Sequence, residues 1–158
     1  MIIVISGSPC TGKTTLAKAL AERLGYIYFD VNEFVKTHLL SDGYDPERDC
    51  EIVDSKKLNR ALLKELSGKN DMIIDSHLAH FLPAASVDLC IITRCDIKEL
   101  NKRLKKRGYK EKKIRENLDV EIFDSCFTEA KEQGHNILEI DTTKSYNIND
   151  IAKKVLKK

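Results

Sequence analysis

Gly7, Gly12, Lys13 and Thr14 stand at the spacing Gly-x-x-x-x-Gly-Lys-Ser/Thr, inside the run GSPCTGKTT from Gly7 to Thr15. Residues of these types at this spacing wrap a phosphate chain in backbone N–H groups. The glycines supply backbone conformations that a Cβ resists. Lys13 puts a point charge on the terminal phosphates, and the Thr14 hydroxyl is a candidate Mg²⁺ ligand. The apolar run Ile2-Ile3-Val4-Ile5 precedes the loop, and Leu16, Leu20 and Leu24 follow it at four-residue spacing up to Gly25. That context predicts strand, loop, helix, with the helix dipole adding to the pull on an anion.

Further positions along the chain carry chemistry. Asp75 closes the apolar run Met72-Ile73-Ile74 and suits the second acidic site of a phosphate-loop protein, where it would hold Mg²⁺ directly or through water. A capping or solvated aspartate is the plainer alternative. His77, two residues on, could touch a γ-phosphate or orient a water, or be a loop histidine. Arginine is scarce, seven against twenty lysines, yet Arg94, Arg103, Arg107 and Arg115 fall within 22 residues. Guanidinium forks suit bidentate phosphate recognition. Arg103 and Arg107 lie four apart on one helix face, and a strand-end Arg94 with a mobile arginine-bearing lid would supply positioning and charge neutralisation during phosphoryl transfer. The basic run from Lys102 to Lys113 could equally be a solvated helix face, or hold RNA backbone. Thr143-Lys144 follows the last apolar run, where phosphate-loop kinases often hold the adenine base. A GTPase switch is disfavoured: no Asp-x-x-Gly follows a strand at the γ-phosphate, and no Asn-Lys-x-Asp reads guanine. No strong base stands near a separate acceptor pocket, which a nucleoside monophosphate tolerates because its phosphate is already largely ionised. A hydroxyl acceptor would want a base, and Asp30 could serve.

The elements that must position these residues alternate. Strands are expected over residues 2–6, 27–29, 72–75, 87–93 and 137–140, and helices over 13–24 and, weakly, 31–40. Further helices are expected after Asp54, after Asp96 (with Glu99, a capping box), over 110–133 and after Asn147. Within 110–133, Ile114, Leu118, Ile122, Phe123 and Phe127 read as inward. Residues 41–46, Ser-Asp-Gly-Tyr-Asp-Pro, read as a loop. The class is α/β: one domain over 1–158 with a five-stranded parallel sheet and helices on both faces. Ligands of such sheets sit beyond the carboxyl ends of the strands.

The 158 residues suit one domain with a real core. One third are charged but the net charge is only +2, which argues against nucleic-acid binding by the whole surface. No apolar run spans a membrane, and the opening strand leaves no room for a signal peptide. Five cysteines without a Cys-x-x-Cys pair point to free thiols in a reducing, cytoplasmic interior.

With these residues in view, the chain resembles the atypical adenylate kinase family known as adenylate kinase isoenzyme 6, found in archaea and eukaryotic nuclei. The shared segments are GSPCTGKTT, Asp42-Gly43-Tyr44-Asp45 with Asp49-Cys50, Asp75-x-His77 and Thr93-Arg94-x-Asp96. Arg103-Leu104, Arg107-Gly108-Tyr109, Lys112-Lys113-Ile114, Asn117 and Glu121-Ile122-Phe123 complete them. The resemblance implies a P-loop kinase fold with a monophosphate-binding region over 30–53 and a lid over 106–116. It implies ATP contacts from Cys10, Gly12, Lys13, Thr14 and Thr15, completed by Arg107 and Lys144. Asp30 and Lys36 fall in the monophosphate region. There Lys36 replaces the arginine common in relatives and loses the bidentate fork.

The implied activity is ATP + AMP = 2 ADP, with broad monophosphate tolerance, Mg²⁺ as cofactor and an ATPase activity through Asp75 and His77. The resemblance also implies a role in late small-subunit maturation. That role runs through a platform ribosomal protein of the eleventh small-subunit family and 3′-end cleavage of the small-subunit rRNA, with transient contact to the pre-ribosome. An assembly factor driven by ATP hydrolysis is the alternative reading, and a small-molecule hydroxyl kinase a more remote one. The short carboxyl end favours an archaeal source; a eukaryotic member would be nuclear as well as cytoplasmic.

Overall fold

The computed structural model describes residues 1–47 and 50–158, so Asp49 of the shared motifs lies outside the described residues. The strands are β1 (Ile2–Ser6), β2 (Ile27–Asp30), β3 (Ser41–Asp45), β4 (Cys50–Val53), β5 (Met72–Asp75), β6 (Leu89–Arg94) and β7 (Ile137–Asp141). The helices are α1 (Lys13–Leu24), α2 (Val31–Thr37), α3 (Ser55–Leu66), α4 (Ile97–Lys106), α5 (Glu111–Ile122), α6 (Ser125–Glu132) and α7 (Ile148–Val155). Five strands form one parallel sheet in the order β2-β5-β1-β6-β7.

The inner strands β1, β5 and β6 are covered on both faces, which is why they are almost continuously apolar. Successive β1 side chains point to opposite faces. Ile2 and Val4 pack with Phe34 of α2, Leu58 and Leu62 of α3 and Ala130 of α6. Ile3 and Ile5 pack with Leu16 and Leu20 of α1 and Ile151 and Val155 of α7. A third cluster joins Leu100 and Leu104 of α4 to Ile114 of α5, with Cys95. The expected caps form: Asp54 accepts from the Lys57 N–H, Asp96 from the N–H groups of Lys98 and Glu99, and Asn147 from that of Asn149. The Glu99 side chain binds Arg103 instead of closing a capping box.

Two expectations are corrected. Residues 41–46 are not a loop: Ser41–Asp45 pairs antiparallel with Cys50–Val53, with a register shift between Ser41 and Gly43. Strand preference depends on the partner more than on composition, so the ladder overrides the turn-forming residues. Residues 110–133 are not one helix. The chain breaks at Asp124, whose φ of 53° is left-handed, a region that Asp tolerates better than most side chains. Ile122 and Phe123, expected inward, are 54% and 73% exposed, and Glu121 takes the inward place.

Candidate active site

One cavity of about 1170 Å³ opens beyond the carboxyl ends of β1 and β5. The phosphate loop forms its floor. Gly7 has φ +139°, and a Cβ there would lie 2.4 Å from Thr93 Oγ1 and 2.7 Å from its carbonyl oxygen. No side chain fits that space. Gly12, at φ +87°, caps α1 with no side-chain bond, which leaves the first backbone N–H groups of a twelve-residue helix for an anion. Cys10 is also left-handed, at φ 65°, and lines the cavity.

Inside the loop, Ser8 is a node. Its carbonyl oxygen accepts from Thr11 Oγ1 at 2.7 Å and from Lys13 Nζ at 2.8 Å. Burial pushes the Lys13 ammonium below its ordinary value, and Asp75 opposes that shift. Thr14 Oγ1 donates to Asp75 Oδ2 at 2.6 Å, and the Tyr28 hydroxyl donates to the same oxygen at 3.0 Å. Both Thr14 and Asp75 line the cavity. Among the described residues, no three His, Cys, Asp or Glu side chains could hold a metal by themselves. Mg²⁺ bound with phosphates needs only one or two protein oxygens, so the Thr14–Asp75 pair fits it.

His77 lines the same cavity and is an exposed residue. Desolvation in the cleft and the nearby Lys13 push its imidazole down to about 4, so it is neutral near pH 7. His80, which sequence reasoning missed, is buried. Its Nδ1 lies 2.6 Å from Ser6 Oγ and its Nε2 lies 2.9 Å from Glu129 Oε2. Burial lowers its pKa and Glu129 opposes this. The pairings are met by a neutral ring that accepts from Ser6 and donates to Glu129. Nothing in the spacing distinguishes His80 from an ordinary loop histidine.

The arginines divide. Arg107 lines the cavity at the end of α4. Arg103 also lines it, with Nε on Glu99 at 3.0 Å and Nη2 on the carbonyls of Thr142 and Thr143 at 2.9 and 3.1 Å. It therefore braces the loop after β7. Arg94 is not brought to the cavity. Its guanidinium meets Glu121 at 3.3 Å, Asp124, and Glu139 at 3.7 Å, and these carboxylates hold it charged. Of the remaining expected contacts, Thr15 lines the cavity, whereas Lys144 does not; Thr142 and Tyr146 from its loop do. Asp30 is the N-cap of α2, accepting from the N–H groups of Asn32 and Glu33. Lys36 sits in a separate groove of about 220 Å³ with Leu39 and Glu51, while Asn32 and Cys50 carry the 30–53 region to the main cavity.

A family model described as an AAA domain matches residues 3–124. A protein named "putative adenylate kinase" from Thermococcus onnurineus is 44% identical over 144 residues, covering 90% of this chain and 76% of its own. A protein named adenylate kinase isoenzyme 6 homolog, from Caenorhabditis elegans, is 35% identical over 131 residues, covering 82% of this chain and 72% of its own. Among solved structures, shikimate kinase from Acinetobacter baumannii in complex with shikimate superposes with a TM-score of 0.65. That likeness is at 18% identity, over 99% of this chain and 90% of the other, and concerns the fold.

Proposed function

The chain belongs to the adenylate kinase isoenzyme 6 family of P-loop proteins, and on that premise we propose that it transfers the γ-phosphoryl group of ATP to a nucleoside monophosphate, AMP first. The observation that carries this reading is one large cavity. It runs from the phosphate loop to Asn32 and Cys50 on one side and to Arg107 and Tyr146 on the other. Pockets for one small ligand span about 300–1000 Å³, so this volume has room for a donor and an acceptor together.

Loop N–H groups, Lys13 and the α1 N-terminus bind the polyphosphate. Thr14 and Asp75 would hold Mg²⁺, which when bound neutralises phosphate charge. A phosphate oxygen of the monophosphate attacks the γ-phosphorus, the bond to the β–γ bridging oxygen breaks, and ADP leaves. The attacking oxygen is already ionised at neutral pH, so no side-chain base is needed. Arg107 in the 106–116 segment supports charge neutralisation as the site closes. Lys106 and Lys113 line the cavity beside it.

A second reading, ATP hydrolysis serving small-subunit assembly, is favoured by two features. His77 stands in the cavity as a neutral imidazole able to orient a water, and the exposed Ile122–Phe123 pair offers a ribosomal protein an apolar foothold. Coupled turnover assays with AMP, CMP, UMP and GMP against ATP alone decide between them. The kinase reading expects AMP to outpace water as acceptor and Lys13→Ala to abolish the reaction. If no monophosphate outpaces water, the kinase reading fails and hydrolysis is the activity.

A further inference from the structure

Glu121 is an unexpected neighbour for a phosphate site. It is a carboxylate only 6% exposed, on α5, and it reaches into the loop that must receive a polyanion. Its Oε2 accepts from Ser8 Oγ at 2.7 Å, and its Oε1 accepts from the Cys95 N–H at 3.0 Å. Arg94 Nε lies 3.3 Å from the same Oε1. A buried carboxylate persists only when paired and hydrogen-bonded, and here every contact serves that end. The strand-end arginine therefore neutralises an internal acid and leaves the phosphates to other cations.

The acid in turn holds Ser8. The Ser8 hydroxyl is committed to Glu121 while its carbonyl oxygen receives Lys13 Nζ. Gly7, Cys10 and Gly12 around it all lie at positive φ, so the loop between them depends on side-chain anchors for a fixed shape. Glu121 also belongs to the helix whose Lys113, Glu116 and Asn117 form a wall of the cavity.

We propose that Glu121, neutralised by Arg94, is a positioning residue for the phosphate loop: through Ser8 it fixes the carbonyl from which Lys13 swings to the polyphosphate, and it ties that loop to the cavity-wall helix α5. This rests on the reading that the loop holds ADP and ATP.

The test is calorimetric binding of Mg·ADP to the full chain, with steady-state KM and kcat for ATP. Ser8→Ala loses a hydrogen bond to a charged acceptor, and its Kd for ADP rises about tenfold. The loss falls on KM for ATP more than on kcat, and Ser8→Thr, which keeps the hydroxyl, restores binding to within about twofold. Glu121→Gln replaces the charged acceptor with a neutral amide, removes the charge that Arg94 pairs with at this position, and weakens ADP at least as much. The double variant Ser8→Ala/Glu121→Gln binds no worse than Glu121→Gln alone, because both remove one link. Ser8→Ala binding ADP within twofold of the unaltered chain overturns the proposal, as do losses that multiply in the double variant. If Glu121→Gln fails to fold, the Ser8→Ala and Ser8→Thr pair decides. Failure of the kinase reading is separate: a chain that binds ADP through Ser8 but makes none from ATP and AMP refutes phosphotransfer and leaves the clamp standing.

Discussion

On the proposed function, His77 and Lys13 divide the work of the site between hydrolysis and phosphate binding. Lys13 rests on the Ser8 carbonyl at 2.8 Å, a contact that a phosphate oxygen would replace. Its partial burial makes the free ammonium costly and the phosphate-bound one favourable. His77 is pushed down to about 4 and so stays neutral well below its ordinary value. A neutral imidazole can orient water, but transfer to an ionised phosphate has no need of it. His77→Ala should therefore slow ATP hydrolysis at least about tenfold while slowing transfer to AMP much less. In the unaltered chain the ratio of the two rates should show no inflection near pH 6.5. Coupled assays across pH 6–8 measure both, and equal losses in the variant would contradict this division. That Thr14 and Asp75 lie at neighbouring strand ends was legible from the loop spacing of the one and from the apolar run that the other closes. The Ser6–His80–Glu129 chain was not, because it joins residues 74 and 49 positions apart through tertiary packing alone.

Elements repeat that contrast. The inner strands β1, β5 and β6 were readable because burial on both faces leaves an apolar signature, and α1 because it carries its loop and its four-residue period with it. The β3–β4 hairpin was not, because its signal lies in pairing between two polar segments and not in either alone. The break at Asp124 escaped for a related reason: a charged, periodic run gives no mark where one residue turns left-handed. Arg94 was misplaced at the same point, since its acidic partners Glu121, Asp124 and Glu139 lie 27 to 45 residues downstream. The α4–α5 pair carries Arg107 and Lys113 to the cavity through a small core of Leu100, Leu104 and Ile114. Leu104 is fully buried there, so Leu104→Ala should cost about 2–5 kcal/mol. That loss would appear as a fall in Tm of roughly 5–15 °C for a chain this size. KM for ATP should rise as Arg107 and Lys113 lose their footing. A variant with an unchanged Tm would show that this cluster does not hold the two helices.

At the scale of the molecule, both regions with a proposed ligand role meet at one opening. Residues 30–53 reach it through Asn32 and Cys50, and 106–116 through Lys106, Arg107, Tyr109 and Lys113. Lys112 Nζ lies 2.6 Å from Glu47 Oε2, so the two regions already touch across the cleft. Such an exposed pair contributes little energy, and it serves here as a geometric marker that the regions are within closing distance. No helix among the described residues is long and apolar enough to cross a membrane. The central claim is that donor and acceptor nucleotides occupy this cavity together. A calorimetric titration with a dinucleoside pentaphosphate, two adenosines joined through five phosphates, tests it most directly. The structure predicts one analogue per chain, bound at least about a hundredfold more tightly than ATP and displacing both ATP and AMP. An analogue that binds no more tightly than ATP, and leaves AMP binding untouched, would contradict a two-nucleotide site.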